Sequence, residues 1–93
     1  MVQSQINKIA INVRKNLRAI DDLTRLKLCI MVKEKPYHVK ELIKRLKIEA
    51  TLLSHHLAIL RDAGFIKSTR EGKQVIYTRT KETPLVLKDQ IVF

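Results

Sequence analysis

The chain has 93 residues, of which 45% are hydrophobic and only 4% aromatic, and it carries a formal net charge of +10. This length corresponds to one small domain, and its core is predicted to consist of leucine, isoleucine and valine. The excess of lysine and arginine indicates a polyanionic partner: nucleic acid, an anionic membrane surface or an acidic protein. Composition alone does not distinguish among these three.

Cysteine content and hydropathy indicate the cellular compartment in which the protein acts. The single cysteine, Cys29, excludes an intrachain disulfide and fits a reducing compartment. The N-terminal residues lack the charged and apolar regions of a signal peptide. No stretch reaches the roughly 18 apolar residues that span a bilayer. We therefore expect a cytoplasmic protein without a membrane partner.

Helical periodicity dominates the first two thirds of the chain. Apolar residues recur at helical spacing over Gln3–Ile20, which predicts a first helix. Asp21 or Asp22 can cap a second helix over residues 23–33, and the apolar run at 28–32 predicts that this helix is the buried hub. A third helix is predicted over Val39–Leu46. After a turn at residues 47–49, a fourth follows over residues 50–63, with Gly64 as its left-handed C-terminal cap.

After residue 64 the apolar residues no longer follow the helical spacing. Residues 65–70 and Gln74–Arg79 are strand-like and flank a loop with a central Gly72, a pattern that predicts a hairpin. Pro84 can open a last helix that reaches about residue 91. The predicted fold class is mainly α with a small β-hairpin, in the order α-α-α-α-β-β-α. Two short helices joined by a tight turn and followed by a basic hairpin indicate a winged helix-turn-helix over residues 1–93, with the helix-turn-helix at 39–63 and the wing at 65–79.

Four segments between Leu17 and Thr80 carry a family resemblance in a fixed order. They are residues 19–26 (AIDDLTRL), 41–57, 60–66 (LRDAGFI), and 70–73 (REGK) followed by Tyr77. Together they resemble the ArsR/SmtB-type transcriptional repressors of bacteria and archaea. The resemblance implies a homodimeric winged helix-turn-helix regulator that binds double-stranded DNA, and we expect it to act as a repressor.

The departures from the family pattern concern the turn and the sensor. Lys47 and Glu49 stand where the family often has glycine and serine. Many members bind soft metals through Cys-X-Cys on the third helix, but the corresponding residues here are His38 and Lys40. Other members place Asp and His ligands on the last helix, whereas residues 84–93 contain Asp89 but neither His nor Cys. We therefore expect no metal and no cofactor.

The fourth helix is the candidate reader of the major groove, because its N-terminal, solvent-facing side chains can reach base edges. The wing tip would contact phosphates or a minor groove, and flanking lysines would position the duplex without reading sequence. The alternative is that these are ordinary solvated faces. The predicted DNA-binding residues are Thr51, Ser54 and His55 on the reading face, Arg61 nearer the backbone, Arg70, Lys73 and Gln74 on the wing, and Lys40 and Lys47 beside them.

The first and last helices, 1–20 and 84–93, have apolar faces, and the resemblance implies that they pack across a two-fold axis. Two reading helices would then meet successive major grooves about 34 Å apart on a near-palindromic operator. The alternative is that these helices cover their own core. The predicted dimer-interface residues are Ile6, Ile9, Val13, Leu85, Leu87 and Ile91.

Three further residues have a structural and a functional interpretation. His56 lies on the apolar stripe and is predicted to be a hydrogen-bonded core histidine, while its neighbour His55 faces DNA. Adjacent helical residues point roughly 100° apart, so the pair is a poor metal site. Cys29 is predicted to be a small buried hydrophobe, because a redox sensor needs an exposed thiol of low pKa.

Other functions remain as alternatives. The charge permits an architectural nucleic-acid-binding protein of relaxed specificity, and the winged fold can also act as a protein-interaction module. We do not expect an enzyme, because the sequence has no acid–base pair in a recognisable cleft and no phosphate-cradling glycine loop.

Overall fold

A computed structural model describes residues 2–80, the main chain of residues 86–87 and that of residues 91–92. Four α-helices and three strands form the body. They follow the order predicted for a winged helix-turn-helix, except that one of the three strands, β1, is an additional short one. The elements are α1 (Gln3–Ile20), α2 (Leu23–Glu34), β1 (Tyr37–His38), α3 (Val39–Leu46), α4 (Ala50–Asp62), β2 (Ile66–Glu71) and β3 (Gln74–Arg79), followed by the two-residue strands β4 (Val86–Leu87) and β5 (Ile91–Val92).

The first two helices begin and end where local chemistry dictates. The Gln5 side chain accepts a hydrogen bond from the Val2 backbone N–H at 3.1 Å, which satisfies a free donor at the start of α1. Asp22 is the N-cap of α2, and its carboxylate accepts from the Arg25 backbone N–H at 3.0 Å. The choice between Asp21 and Asp22 as the cap is thereby resolved in favour of Asp22.

The helix-turn-helix consists of α3 and α4 and the turn at residues 47–49. Lys47 ends α3 in the left-handed region, with φ of 53°, and its backbone N–H donates to the Ile43 carbonyl. At the end of α4, Gly64 has φ of 86°. The N–H of Gly64 donates to Arg61 O and that of Phe65 to Leu60 O, both at 3.0 Å. This is the Schellman arrangement, and it confirms the predicted role of Gly64.

The wing is a hairpin within a three-stranded antiparallel sheet of order β1-β3-β2. The register pairs Glu71 with Gln74, so Gly72 and Lys73 form a two-residue loop. Gly72 has φ of 63°, a conformation that such tight hairpin loops require and that glycine adopts freely. The third strand, β1, was not predicted. It is only two residues long and pairs Tyr37 with Tyr77, so its strand character depends on tertiary contact.

The prediction of a last helix is wrong for the residues of that segment that the structure describes. Val86–Leu87 and Ile91–Val92 are extended and pair with each other in antiparallel register. β-branched side chains favour extended backbone, and a segment of this length is below the roughly 12–15 residues that sustain a helix without tertiary support. Pro84 and Leu85 lie outside the described residues.

The core is built mainly from leucines of α2, α3 and α4. Leu28, Leu42, Leu53 and Leu60 are completely buried. The prediction of a purely aliphatic core was wrong, since Phe65, Tyr37 and Tyr77 are buried in the same cluster. The predicted hub at 28–32 is confirmed for Leu28, Cys29 and Val32, but Ile30 lies on the exposed side of α2. β3 packs against α2 and α3, and β2 packs against α4, so the core fixes the wing relative to the helix-turn-helix.

Candidate nucleic-acid interface

One side of α4 is exposed along its N-terminal half. Leu53, His56 and Leu57 are buried, and this burial turns Thr51, Ser54 and His55 to the solvent. Burial and exposure thus alternate as the helical periodicity predicted. Leu52 is also exposed on the first turn, although it was not among the predicted DNA-binding residues. The sequence does contain a signal for Leu52: it is a large apolar residue that lies off the buried stripe and beside the predicted reading residues.

A surface cleft of about 360 Å³ joins α4 to the wing. It brings together four of the predicted DNA-binding residues from three separate elements: Lys40 of α3, Ser54 of α4, and Lys73 and Gln74 of the hairpin tip. His38, Val39, Leu57, Val75 and Tyr77 complete its lining. The sequence predicted each of the four residues separately, but the cleft that unites them arises because β3 packs against α3.

His38 stands at one of the two positions where many family members carry a metal-binding cysteine. In the structure it is the N-cap residue of α3, but its side chain makes no capping hydrogen bond. It pairs with Ile76 through the main chain of β1 and lines the cleft beside Lys40. The imidazole therefore belongs to the candidate interface, which the sequence alone could not establish.

The basic residues of this side differ in how far they are engaged within the protein. The Arg45 guanidinium pairs with Glu41 at 3.2 Å and lies 5.6 Å from the centre of the Tyr37 ring, so it is held against its own domain. Within the described residues no carboxylate pairs with Lys40, Lys47 or Lys73. These three exposed lysines are therefore available for phosphate oxygens.

Two other predicted residues lie away from the cleft. Arg70 is exposed on β2 and pairs with Val75 across the hairpin. Arg61 lies in the last turn of α4, ten positions after Thr51 and hence about 15 Å further along the helix axis. Its Nε atom is 4.0 Å from Asp62 Oδ1. The structure thus separates Arg61 from the side chains that it groups around the cleft.

Behind the reading face, a polar network fixes α4 to the junction of α1 and α2. The Arg25 guanidinium donates to the Ala19 carbonyl at 2.6 Å and contacts His56 Nδ1 at 3.0 Å. Because arginine can only donate, Nδ1 accepts and the imidazole proton resides on Nε2. His56 is 8% exposed, so the prediction of a hydrogen-bonded core histidine is confirmed.

The thiol of Cys29 lies within the core on α2. Burial raises its pKa to about 12, because the thiolate would lose its hydration. A reactive cysteine requires the opposite environment, one that is exposed and electropositive. Among residues 2–80, no group of three or more His, Cys, Asp or Glu side chains is placed to hold a metal ion.

The apolar stripe of α1 is exposed to solvent. Ile6, Ile9, Val13 and Leu17 are 43%, 50%, 37% and 45% exposed, and Ala19 is the buried residue of this helix. The stripe therefore does not cover its own core in the described part of the chain. Leu87 and Ile91 lie in β4 and β5, and Leu85 is outside the described residues. None of the helices described is long and apolar enough to cross a membrane.

The helix-turn-helix, the hairpin packed beside it and the basic cleft between them define a winged helix-turn-helix protein. The chain belongs to the ArsR family of bacterial regulatory proteins, whose family model matches residues 22–68. This confirms the resemblance and the fold class, apart from the last helix.

Named relatives share the central part of the chain. The transcriptional repressor SmtB of Mycobacterium tuberculosis is 34% identical over 61 residues, which cover 66% of this chain and 45% of SmtB. The transcriptional activator HlyU of Vibrio cholerae is 36% identical over 62 residues, which cover 67% of this chain and 57% of HlyU. The chain thus spans only about half the length of these two relatives.

Solved structures extend the similarity over most of the chain. The structure of reduced HlyU from Vibrio cholerae matches with a TM-score of 0.75 and 30% identity, over 83% of this chain and 81% of HlyU. The transcriptional repressor BigR from Xylella fastidiosa matches with a TM-score of 0.71 and 30% identity, over 87% of this chain and 83% of BigR. These relatives are regulators of transcription, so the chain belongs to a family of regulators.

Proposed function

We propose that this protein is a sequence-specific regulator that binds double-stranded DNA as a homodimer and represses transcription by occluding a promoter. The cleft between α4 and the wing carries this proposal, since it joins predicted groove-reading and phosphate-contacting side chains on one basic surface. The names of SmtB and BigR support repression, whereas HlyU is named an activator. We expect the protein to act in the cytoplasm, associated with the nucleoid when it is bound to DNA, without a metal or another cofactor.

The residues of the surface divide into two roles. Ser54 and His55 can hydrogen-bond to base edges, and Leu52 can pack against a thymine methyl group in the major groove. Lys40, Lys47 and Lys73 supply point charges for phosphates, which fix the register of the protein on the duplex without reading sequence. Arg70 on the wing suits a narrow minor groove. Thr51 lies at the start of α4 with Ser54, and Gln74 extends the polar edge of the cleft.

The test begins by selecting bound sequences from a randomised duplex library with the purified full chain. The selected duplex and a random duplex are then titrated at one fixed salt concentration. We expect the selected duplex to bind more tightly by a factor of at least about 10³, which is typical of specific regulators. A ratio near one would instead support an architectural protein of relaxed specificity.

Variants distinguish the residues that contact bases from those that contact phosphates. The double variant Ser54→Ala/His55→Ala should weaken binding to the selected duplex by about tenfold or more, because a good base contact contributes about 1–3 kcal/mol of discrimination. Binding to random duplex should change little. Lys40→Ala or Lys73→Ala should weaken both complexes equally and reduce the slope of log affinity against log salt concentration by about one.

Lys33→Ala is the matched control, since it removes an exposed charge from the last turn of α2, outside the proposed surface. If Lys33→Ala weakened DNA binding as much as Lys73→Ala, net charge rather than this surface would account for binding. The direction of regulation is tested by transcription in vitro from a promoter that contains the selected site. Increased transcript would contradict repression.

A further inference from the structure

A second cleft, larger than the one beside the wing, lies between α1 and the C-terminal half of α4. Its volume is about 460 Å³, and neither the predicted reading residues nor the wing contributes to it. The lining residues are Ile11, Arg14, Lys15, Arg18 and Ala19 of α1, Arg25 of α2, and Ile59, Asp62 and Ala63 at the end of α4. The proposed DNA surface leaves this cleft unexplained.

The lining combines apolar and cationic side chains. Ile11, Ala19, Ile59 and Ala63 give the cleft an apolar character. Arg14, Lys15 and Arg18 follow one face of α1 at helical spacing, and within the described residues no carboxylate pairs with any of them. The one acidic residue of the lining, Asp62, lies 4.0 Å from the Arg61 guanidinium. The cleft therefore has an excess of unpaired positive charge beside apolar surface.

Arg25 differs from the other three cations because the fold already uses it. Its guanidinium contacts the Arg18 and Ala19 carbonyls and His56 Nδ1. An arginine side chain has five N–H donors, so N–H donors of Arg25 remain for a ligand after these three contacts. Arg25 is thus a rigidly held cation, whereas Arg14, Lys15 and Arg18 are exposed and can adjust to a ligand.

We propose that this cleft binds a small organic anion that has one carboxylate and an apolar body, such as a medium-length alkyl chain. Its volume lies within the range of about 300–1,000 Å³ that ligand pockets occupy. The arginines can hold the carboxylate through charge-assisted, bidentate hydrogen bonds. The isoleucines and alanines can remove the apolar body from water, which a purely inorganic anion would not exploit.

The position of the cleft separates it from both other surfaces. At 100° per residue, Ile11, Lys15 and Arg18 lie on the side of α1 opposite to Ile9 and Val13. A dimer formed through the apolar stripe would therefore leave the cleft open at its flank. Ala63 is twelve positions after Thr51, or about 18 Å along the direction of α4, which places the cleft away from the reading end of the helix.

The test measures binding to the full chain without DNA, so that its outcome is independent of the proposed DNA-binding function. Octanoate is the probe, and amide chemical shifts in ¹⁵N-labelled protein report where it binds. We expect saturable shifts centred on Ile11, Arg18, Ile59 and Ala63. Octanol lacks the charge, and acetate and inorganic phosphate lack the apolar body. All three should bind at least about tenfold more weakly, because each loses one of the two interactions.

Variants test the cationic side. The double variant Arg14→Ala/Arg18→Ala should weaken octanoate binding by roughly tenfold or more, because it removes two charge-assisted donors. Both side chains are exposed, so the fold should persist, and far-ultraviolet circular dichroism checks this. Lys8→Ala/Lys33→Ala is the matched control, since it also removes two exposed charges, both outside the cleft.

Three results would overturn the proposal. Shifts scattered over all the basic surfaces would show non-specific anion binding. Equal affinity for octanoate and inorganic phosphate would assign the cleft to simple anions. An Arg14→Ala/Arg18→Ala variant with wild-type affinity would show that these arginines do not hold the carboxylate.

Discussion

Lys47 is a non-glycine residue in the left-handed region, with φ of 53°. A side chain in this conformation places Cβ close to the backbone carbonyl, which costs roughly 1–2 kcal/mol. Lys47 is exposed and terminates α3, where glycine would end the helix without this strain. Lysine at this position therefore makes the protein less stable than glycine would. The proposed contact between Lys47 and a DNA phosphate gives a reason for its presence.

Lys47→Gly should stabilise the protein while weakening its binding to DNA. Glycine removes the strain but adds about 0.5–1 kcal/mol of unfolded-state entropy, so we expect a net gain of about 0.5–1 kcal/mol. For a domain of this size that gain raises the melting temperature by about 2–8 °C. Thermal and urea unfolding measure it.

Lys44→Gly provides the control for this substitution. Lys44 is exposed within α3, where glycine should destabilise the helix by about 1 kcal/mol. If both variants were destabilised equally, the conformation of Lys47 would carry no strain. If Lys47→Gly were stabilised but bound DNA with unchanged affinity, Lys47 would have no part in the interface.

Cys29 lies in an environment that suppresses thiol chemistry. Its pKa is raised to about 12 by burial, so almost no thiolate forms in the native protein at neutral pH. The native thiol should therefore react with iodoacetamide or an aromatic disulfide only through unfolding, at a rate that increases with urea. Rapid labelling without denaturant, at the rate of a free cysteine peptide, would contradict the buried placement. Wild type should therefore bind DNA equally under oxidising and reducing conditions.

At this scale, the sequence predicts exposure better than conformation. The 3.6-residue period of α4 correctly separated Ser54 and His55 from the buried His56. The left-handed backbone of Lys47 was not predicted, because lysine itself gives no local signal for it; the glycine that the family often has at this position agrees with it. The partner of His56 could not be predicted either, since Arg25 is distant in sequence and meets it only through packing.

Among the elements, α2 begins at a junction that links three helices. The Asp22 carboxylate caps α2, while Arg25 from the same turn contacts the end of α1 and His56 of α4. The hydrogen bond from the Arg25 N–H is the main cause that lowers the pKa of Asp22, with the nearby Arg25 charge contributing. Burial opposes this shift. The ionised cap therefore stabilises the folded state.

Asp22→Ala should destabilise the protein by about 1 kcal/mol at neutral pH, because it removes the capping acceptor of α2. Asp22→Asn retains an acceptor and should lose less. Since the folded pKa is lowered, the contribution of Asp22 is complete above the unfolded value of about 3.9 and is lost as the pH falls through the lower folded value. Urea unfolding between pH 6 and pH 2 measures this, and the difference between wild type and Asp22→Asn should shrink in acid. A constant difference would show that Asp22 does not titrate as described.

The prediction of elements succeeded where a local rule sufficed. Periodicity and capping gave the bounds of α1 and α3 and those of α2 and α4 to within a residue, and glycine placed the hairpin loop. β1 was missed because two residues show no period, and the sheet contact with Tyr77 determines their conformation. The last helix was predicted wrongly because apolar spacing over ten residues fits two short strands as well as one helical face.

As a whole, the molecule is more extended than a compact domain. Its radius of gyration is 14.4 Å, whereas a compact chain of this length would have about 12 Å. α1 contributes to this extension, since most of its 18 residues are exposed and Ala19 is the residue that it buries. A helix that presents an apolar stripe to water rather than to its own core indicates that another surface covers it. We infer that a second copy of the chain does so.

Ile9→Glu should convert the protein from a dimer to a monomer, because it places a charge in the centre of the stripe. The side chain is half exposed in the isolated chain, so the fold of residues 22–80 should be unaffected. Sedimentation equilibrium should give twice the chain mass of 10.8 kDa for wild type and the single mass for the variant. Ile11→Glu, an exposed position on the side of α1 opposite to Ile9, is the control and should remain dimeric. A monomeric wild type at micromolar concentration would contradict the prediction.

Ile9→Glu should also change how DNA-binding affinity depends on the spacing between the two half-sites of the operator. A dimer holds its two reading helices one helical turn apart, about 10–10.5 base pairs, so inserting about five base pairs between the half-sites rotates one of them to the opposite side of the duplex. Wild type should lose most of its affinity on this insertion. Ile9→Glu engages half-sites singly and should bind the original and the extended operators equally, although more weakly than wild type binds the original. If wild type also tolerated the insertion, the reading helices would not be coupled through α1, and the exposed stripe would require a different occupant.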